Sequence, residues 1–362
     1  MPDHAPPLPP HASGVPARRR WGAWLVGLLL VLALAALAPW AAHAQAPQPV
    51  TVYSSRIEQL IKPLFDRYTQ ETGVKINLLT DRGGAIAERL AAEGEGSPAD
   101  VLLTVDMGNL WNATQRGLLR KIDSPTLNAN VPAAFRDPGG HWWGLSRRER
   151  TIFYNPAKLK PEQLSTYEDL ADPKWKGKLC LRTGKQTYTQ SLVAMMLVKH
   201  GEAGAERIVR GWVDNLATDV FTNDASLLQA IAAGQCDVGI ANTYYYGRLI
   251  AKDPTIKDKV HLFWANQGKD QGGAHVNLSG GGVTRHAKNP AGAQKLLEWL
   301  SSEAAQNGYT HGTFESPVNP KVEPDAIIKA WGTHFTPSPL NAADIGSRQA
   351  DAIRLLDRVG YR

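Results

Sequence analysis

The chain has 362 residues, of which 43% are hydrophobic and 20% are charged. Its formal net charge is +6 at pH 7, and the basic residues beyond the first 44 are spread without a block of like charge. That distribution argues against a nucleic-acid-binding protein. The length allows two lobes of ordinary domain size, each with its own core.

The first 44 residues have the three parts of a secretory signal peptide. Arginines occupy positions 18–20, residues 21–42 are strongly apolar, and Ala42-His43-Ala44 has the small-x-small form of a cleavage site. We therefore predict export with cleavage before Gln45. The apolar stretch is also long enough to span a bilayer, so an uncleaved anchor is the alternative. Both the general and the twin-arginine export routes remain open.

Strands and helices alternate in the next part of the chain. Gly73 follows a run with apolar residues at helical spacing, and Gly117 follows another. The alternation predicts parallel sheets with helices on both faces. The predicted strands are 50–53, 74–79 and 99–104, and the predicted helices are 57–72, 86–93 and 110–116.

Residues 142–150 lead into a strand at 151–154, and we interpret them as the crossing from a first lobe to a second. The glycine run at 280–282 is interpreted as the return hinge, with plain close packing as the alternative. Between and beyond these points the predicted strands are 179–181, 238–241, 260–263 and 275–282, and the predicted helices are 189–199, 224–233, 247–252, 290–303 and 350–359.

A run of three tyrosines, Tyr244 to Tyr246, follows the predicted strand 238–241. The carboxyl end of such a strand is where α/β sheets bind ligands. Buried phenols need partners for their hydroxyl groups, and one hard cation could serve two of them. Neighbours on a strand point to opposite faces, so Tyr244 and Tyr245 can converge only if the strand has ended at Asn242. The alternative is ordinary aromatic core.

Two cysteines, Cys180 and Cys236, lie at or just before predicted core strands that could be neighbours. Because an exported protein meets oxidising conditions, we favour a disulfide. Two buried free thiols are the alternative. No CxxC or histidine spacing indicates a metal site at these cysteines.

Several segments together resemble the periplasmic ferric-iron-binding proteins, which are the substrate-binding components of ferric iron ABC transporters. The resemblance covers nearly all of the chain after residue 44. Its most specific element is Asn-x-Tyr-Tyr with a tyrosine 56 residues upstream. The segments that carry it are Val52-Tyr53-Ser54-Ser55-Arg56, Pro98-Ala99-Asp100-Val101-Leu102, Ser146-Arg147-Arg148-Glu149-Arg150-Thr151, Pro173-Lys174-Trp175-Lys176-Gly177 and Asn242-Thr243-Tyr244-Tyr245.

The resemblance implies an α/β type II periplasmic-binding-protein fold, with two Rossmann-like lobes joined by hinge strands and a ligand cleft between them. We expect the first lobe in 45–147, the second lobe in 148–280, and a return to the first lobe in 281–362. The resemblance also implies a monomeric carrier in the periplasm, with an ABC permease of the inner membrane as its partner.

Residue by residue, the resemblance implies that Tyr188, Tyr244 and Tyr245 ligate iron. It implies that Arg56 and Arg148 hold a synergistic anion, carbonate or bicarbonate. Some relatives place a histidine or tyrosine ligand just after the first-strand turn. Here those positions are Ile57, which cannot ligate, and Glu58, a possible ligand. Asp106 lies near a position where some relatives have a carboxylate ligand.

The chemistry of these residue types suits the ion. Fe³⁺ is small and hard, and it favours anionic oxygen over thiolate or imidazole. A bound cation stabilises phenolate at neutral pH. The negative charges of three phenolates balance the three positive charges of one Fe³⁺ ion. The planar fork of Arg56 can meet a planar oxyanion with two hydrogen bonds.

Two other classes of function remain. The same fold could bind an organic solute or oxyanion such as a polyamine, thiamine or a phosphonate. An exported enzyme is disfavoured, because the sequence has neither a G-x-S-x-G elbow nor an H-E-x-x-H helix. A component of an iron-sensing receptor is a third alternative.

Overall fold

A computed structural model describes residues 47–332 and 334–362. The predicted signal peptide, its cleavage site and the alternative membrane anchor lie outside these residues. Within the described ranges, no helix has both the length and the apolar character needed to cross a membrane.

Within the ranges described, eight strands form one mixed sheet in the order β2-β1-β3-β8-β4-β6-β5, with β7 paired to β4. Their bounds are β1 (Val50–Ser54), β2 (Ile76–Thr80), β3 (Val101–Thr104), β4 (Trp143–Tyr154), β5 (Leu179–Cys180), β6 (Val238–Asn242), β7 (His261–Phe263) and β8 (His275–Val283).

Each end of the sheet consists of parallel strands, and two long strands connect the two ends. β1 pairs in parallel with β2 and β3, and β5 pairs in parallel with β6. β8 runs antiparallel to both β3 and β4, and β4 continues on to pair with β6. β4 and β8 are therefore the crossing strands between two α/β halves. The α/β fold with two lobes predicted from the sequence is confirmed, while the boundaries at 147 and 280 stay a prediction.

The described part of the chain forms twelve α-helices. They are α1 (Glu58–Thr72), α2 (Gly83–Glu93), α3 (Met107–Gln115), α4 (Pro125–Asn130), α5 (Thr187–Asp214), α6 (Asp224–Ala232), α7 (Thr243–Lys252), α8 (Pro290–Leu300), α9 (Glu303–Thr313), α10 (Ala326–Ala330), α11 (Ala342–Ser347) and α12 (Gln349–Arg358). The last helix, α12, packs against α5.

The helix predicted at 189–199 is only the first part of α5. Gly201 adopts φ 65° and ψ 179°, which is not helical, and a second helical segment follows it directly. The prediction was wrong in leaving out the second segment up to Asp214.

The glycine run at 280–282 lies within β8, between β3 and β4. A Cβ atom added at Gly280 would lie only 2.5 Å from the carbonyl oxygen of Trp143. Close approach of the crossing strands therefore gives a sufficient reason for glycine here.

The predicted disulfide between Cys180 and Cys236 is confirmed. Cys180 is the last residue of β5, and Cys236 lies two residues before β6. Because β5 and β6 pair in parallel, with Cys180 opposite Gly239, the bond ties together two neighbouring strands.

Candidate metal site

The tyrosine run begins where β6 ends. Asn242 is the last residue of β6, and Thr243 is the first residue of α7. Tyr244 and Tyr245 therefore lie in the first turn of a helix, which removes the objection that strand neighbours diverge. Their ring centroids are 4.4 Å apart at an interplanar angle of 31°. The condition that the strand ends at Asn242 is met.

Tyr188 is brought to the same place by the parallel pairing of β5 with β6. It is the second residue of α5, which follows β5, so both strand–helix junctions lie at one edge of the sheet. Arg148 Nη1 donates a hydrogen bond to the Tyr188 hydroxyl (3.2 Å). The same guanidinium lies 5.4 Å from the ring centroid of Tyr188 and 5.5 Å from that of Tyr244. We call Tyr188, Tyr244 and Tyr245 the tyrosine cluster.

Two more arginines surround the tyrosine cluster, and sequence reasoning missed both. Arg182 Nη1 donates to the Tyr245 hydroxyl (3.3 Å), and the Arg182 guanidinium lies 5.1 Å from the Tyr188 ring. Arg248 stacks 4.8 Å from the Tyr244 ring, one helical turn further along α7. Arg182 could have been found from its position in the same strand–helix junction as Tyr188.

The electrostatics at Tyr244 favour a neutral phenol before a cation binds. Burial raises the pKa of Tyr244 well above its usual value, and the neighbouring Tyr188 and Tyr245 raise it further. Arg148 opposes this shift. A cation that displaces the proton must therefore supply the free energy of ionisation, and a hard multivalent ion can do so.

Arg56 and Arg148, the predicted anion-binding residues, meet on one buried carboxylate that sequence reasoning missed. Glu315 pairs with Arg56 Nη2 and with Arg148 Nη2, the latter at 3.0 Å. It also accepts a hydrogen bond from Ser146 Oγ (2.5 Å), and both arginines donate to Ser279 Oγ. We call these five residues the Glu315 cluster.

The Glu315 cluster carries a net positive charge. Burial acts to raise the pKa of Glu315, but attraction to Arg148 and Arg56 outweighs it and lowers the pKa to about 2. One carboxylate thus faces two guanidinium groups. The Nε atoms of both arginines are buried and have no hydrogen-bond partner among the described residues. An added anion would find donors here.

A second buried carboxylate, Asp224, holds residues that surround the tyrosine cluster. Asp224, at the start of α6, accepts hydrogen bonds from Arg150 Nη1 (2.9 Å) and from the backbone N–H of Asn242 (3.0 Å). It lies 3.5 Å from Arg182. The carboxylate therefore fixes the end of β6 and holds Arg182 beside Tyr245.

The two carboxylates considered as possible ligands differ in their surroundings. Glu58 is exposed on the first turn of α1, where its charge is favourable near the positive end of the helix. Asp106 is fully buried, and its oxygens accept hydrogen bonds from Asn109, Ser191, Asn277 and Gln349. Four hydrogen bonds therefore fix the position of Asp106, and a ligand role for either carboxylate stays a prediction. In the described part of the chain, no group of three or more His, Cys, Asp and Glu side chains could hold a metal.

A family model described as bacterial extracellular solute-binding protein matches residues 63–336. The chain is 39% identical over 329 residues to iron uptake protein A1 of Synechocystis sp., covering 90% of this chain and 91% of that protein. It is 28% identical over 345 residues to the major ferric iron-binding protein of Neisseria meningitidis, covering 92% and 98%.

Solved structures show the same similarity. The Trichodesmium protein IdiA (FutA), in complex with iron and citrate ligands, is 43% identical with a TM-score of 0.79. The match covers 87% of this chain and 100% of that one. Overall architecture and sequence thus point to one group of proteins.

Proposed function

The chain belongs to the bacterial extracellular solute-binding proteins, in the branch of periplasmic ferric-iron-binding proteins, and from this premise we propose that Tyr188, Tyr244 and Tyr245 bind its Fe³⁺. In this proposal the protein works in the periplasm as a carrier and delivers the ion to an ABC permease. It is a binding protein and not an enzyme.

The observation that carries the proposal is the meeting of three tyrosines from two strand–helix junctions around shared arginines. Ionising one phenol at pH 7 costs roughly 4 kcal/mol without help, and burial adds to this cost at Tyr244. An organic solute would gain little from several ionised phenols in one place. Three phenolates neutralise one ferric ion, so a trivalent hard cation fits the tyrosine cluster best.

The Glu315 cluster suits a synergistic anion such as carbonate or bicarbonate. Two guanidinium groups and one carboxylate leave one positive charge uncompensated, and Arg148 already touches Tyr188. An oxyanion bound to iron beside Tyr188 could therefore also be bound by Arg148. Arg56 would contribute through the shared side chains Glu315 and Ser279.

Capture and release follow from the same groups. The two halves of the fold close on the ion, and the closed form marks the loaded state for the permease. Protonation of the phenolates or reduction of the iron would release the cargo, since metal affinity falls when ligands take up protons.

Metal analysis and a visible spectrum of the protein purified without chelators test the proposal. We expect bound iron and a phenolate-to-iron absorption band, and we expect Tyr244→Phe and Tyr245→Phe each to remove most of that band. Tyr246→Phe is the matched control, because the Tyr246 hydroxyl in the same run donates instead to the carbonyl oxygen of Val260 (2.5 Å). An iron-loaded protein whose band is unchanged in both ligand variants would contradict the assignment.

A further inference from the structure

The segment that carries Tyr188 is held by residues from the far end of the chain. We define the 181–188 segment as the loop after β5 with the first two residues of α5. Its two residues at the site are Arg182 and Tyr188. On one side the segment is held by backbone hydrogen bonds with Phe221. On its other side it meets Tyr361, which is 4% exposed.

The approach of Tyr361 is set by a helix-ending turn. Gly360 has φ 71°, and its N–H donates to the Asp357 carbonyl (3.1 Å). The Tyr361 N–H donates to the Leu356 carbonyl (2.9 Å). These two bonds are those of a Schellman motif, which reverses the chain at the end of α12. The reversal sets the Tyr361 ring and carbonyl against the 181–188 segment.

Two contacts join Tyr361 to the segment. The Tyr361 hydroxyl donates to the backbone carbonyl of Arg182 (2.9 Å), and this hydrogen bond is buried. The backbone carbonyl oxygen of Tyr361 lies so close to Gly184 that an added Cβ would be 2.6 Å from it. The Gly184 N–H in turn donates to the carbonyl oxygen of Arg362 (3.3 Å). We call these three interactions together the Tyr361 contacts.

We propose that Tyr361 is a positioning residue for iron binding: the Tyr361 contacts fix the 181–188 segment and so set Tyr188 and Arg182 against Tyr244 and Tyr245. The inference rests on the proposed function, in which Tyr188 is a ligand. α12 also packs on α5, so one C-terminal unit holds both the loop and the helix that begins with the ligand. Tyr361 itself touches no metal ligand in this account.

Gly184→Ala tests the contact sterically. Gly184 is not among the residues with positive φ, so alanine is tolerated by the backbone, and its only close neighbour below 3 Å is the Tyr361 carbonyl oxygen. We expect iron loss to a competing chelator to be faster by about tenfold, as is typical when a residue that orients a metal ligand is changed. Gly84→Ala is the control, since an added Cβ there meets no atom within 4 Å.

Removing residues 361 and 362 makes the test specific. The deletion should itself speed iron loss, and adding Gly184→Ala to it should change nothing further, because the clashing carbonyl is gone. Tyr361→Phe removes only the buried hydrogen bond and should speed iron loss by about fivefold. Hydrogen exchange of the 181–188 segment in the iron-free protein should rise in each of these variants.

The outcomes separate this inference from the proposed function. If Gly184→Ala and Tyr361→Phe leave both iron loss and exchange unchanged while Tyr188→Phe weakens the band, the Tyr361 contacts do not position the ligand. If Tyr188→Phe leaves the band intact while Tyr244→Phe removes it, the iron role stands and the positioning role falls.

Discussion

At the scale of single residues, the charge balance around the tyrosine cluster depends on Glu315. This buried carboxylate is the only described acidic side chain that pairs with Arg56 and Arg148. Removing one partner of a buried charge cluster leaves the others uncompensated in a medium that solvates them poorly. Replacing Glu315 should therefore lower the stability of the fold and also weaken binding at the site.

We expect Glu315→Gln to lower the free energy of unfolding by about 3–5 kcal/mol at pH 7, measured by urea denaturation. The pKa of Glu315 is lowered to about 2 in the folded protein, below its unfolded value. Its contribution is thus complete above about pH 4.5 and is lost as the pH falls towards 2. The difference in the free energy of unfolding between wild type and variant should therefore become smaller as the pH falls over that range. Glu58→Gln, which alters an exposed carboxylate, serves as control. A gap that persists unchanged at pH 2 would contradict this account.

A second prediction concerns the anion. Arg56→Lys keeps the positive charge beside Glu315 but loses the planar fork that bonds Glu315 and Ser279, through which Arg56 would support an anion at Arg148. We expect it to weaken iron retention about tenfold in bicarbonate buffer and little without bicarbonate, measured as the rate of iron loss to a chelator. Arg147→Lys, which alters a half-buried arginine paired with Glu149, is the control. Equal weakening in both buffers would argue against a role of Arg56 in supporting a bound anion.

At the scale of elements, β5 and β6 place the ligands, and the bond between Cys180 and Cys236 ties these strands together. The bond closes a loop of sequence separation 56, which in the chain-entropy model stabilises the fold by about 4 kcal/mol. Urea unfolding with and without reductant should show a loss of this order. The double variant Cys180→Ala/Cys236→Ala should be insensitive to reductant. Equal stability of oxidised and reduced wild type would contradict the prediction.

The strands and the tyrosines could be predicted from sequence, while the helices α4, α9, α10 and α11 and the residues that organise the site were not. β6 and the helix after it could be predicted because the apolar run 238–241 is followed directly by the polar residues Asn242 and Thr243. Tyr188 was identified through its spacing from Tyr244 in the family pattern. Glu315 stayed hidden because its contact with Arg56 spans 259 residues, and local periodicity carries no record of such a pairing. Tyr361 was hidden for the same reason.

At the scale of the whole molecule, Asp106 joins the two halves of the fold. It caps α3 in the first half and accepts a hydrogen bond from Ser191 of α5 in the second (2.5 Å). Asn277 of the crossing strand β8 donates to the same carboxylate oxygen (2.6 Å). A charge-assisted hydrogen bond thus links the two halves three residues from Tyr188 along α5.

We expect Ser191→Ala to loosen closure without touching a proposed ligand. Loss of one hydrogen bond to a buried carboxylate should speed iron release by about tenfold or more. Small-angle X-ray scattering of the iron-free variant should show a larger radius of gyration. Ser347→Ala, which alters an exposed hydroxyl bonded to the Asp344 carbonyl, should behave as wild type. Unchanged release and scattering would show that this bond does not hold the halves together.

The disulfide between Cys180 and Cys236 determines in which compartment the tyrosine cluster acquires its full structural support. It can form only after β5 and β6 have met in an oxidising compartment. A precursor still in the reducing cytoplasm would lack this cross-link beneath both ligand-bearing junctions. In the periplasmic role proposed above, newly made protein would therefore compete poorly for cytoplasmic iron and become a strong scavenger only after secretion.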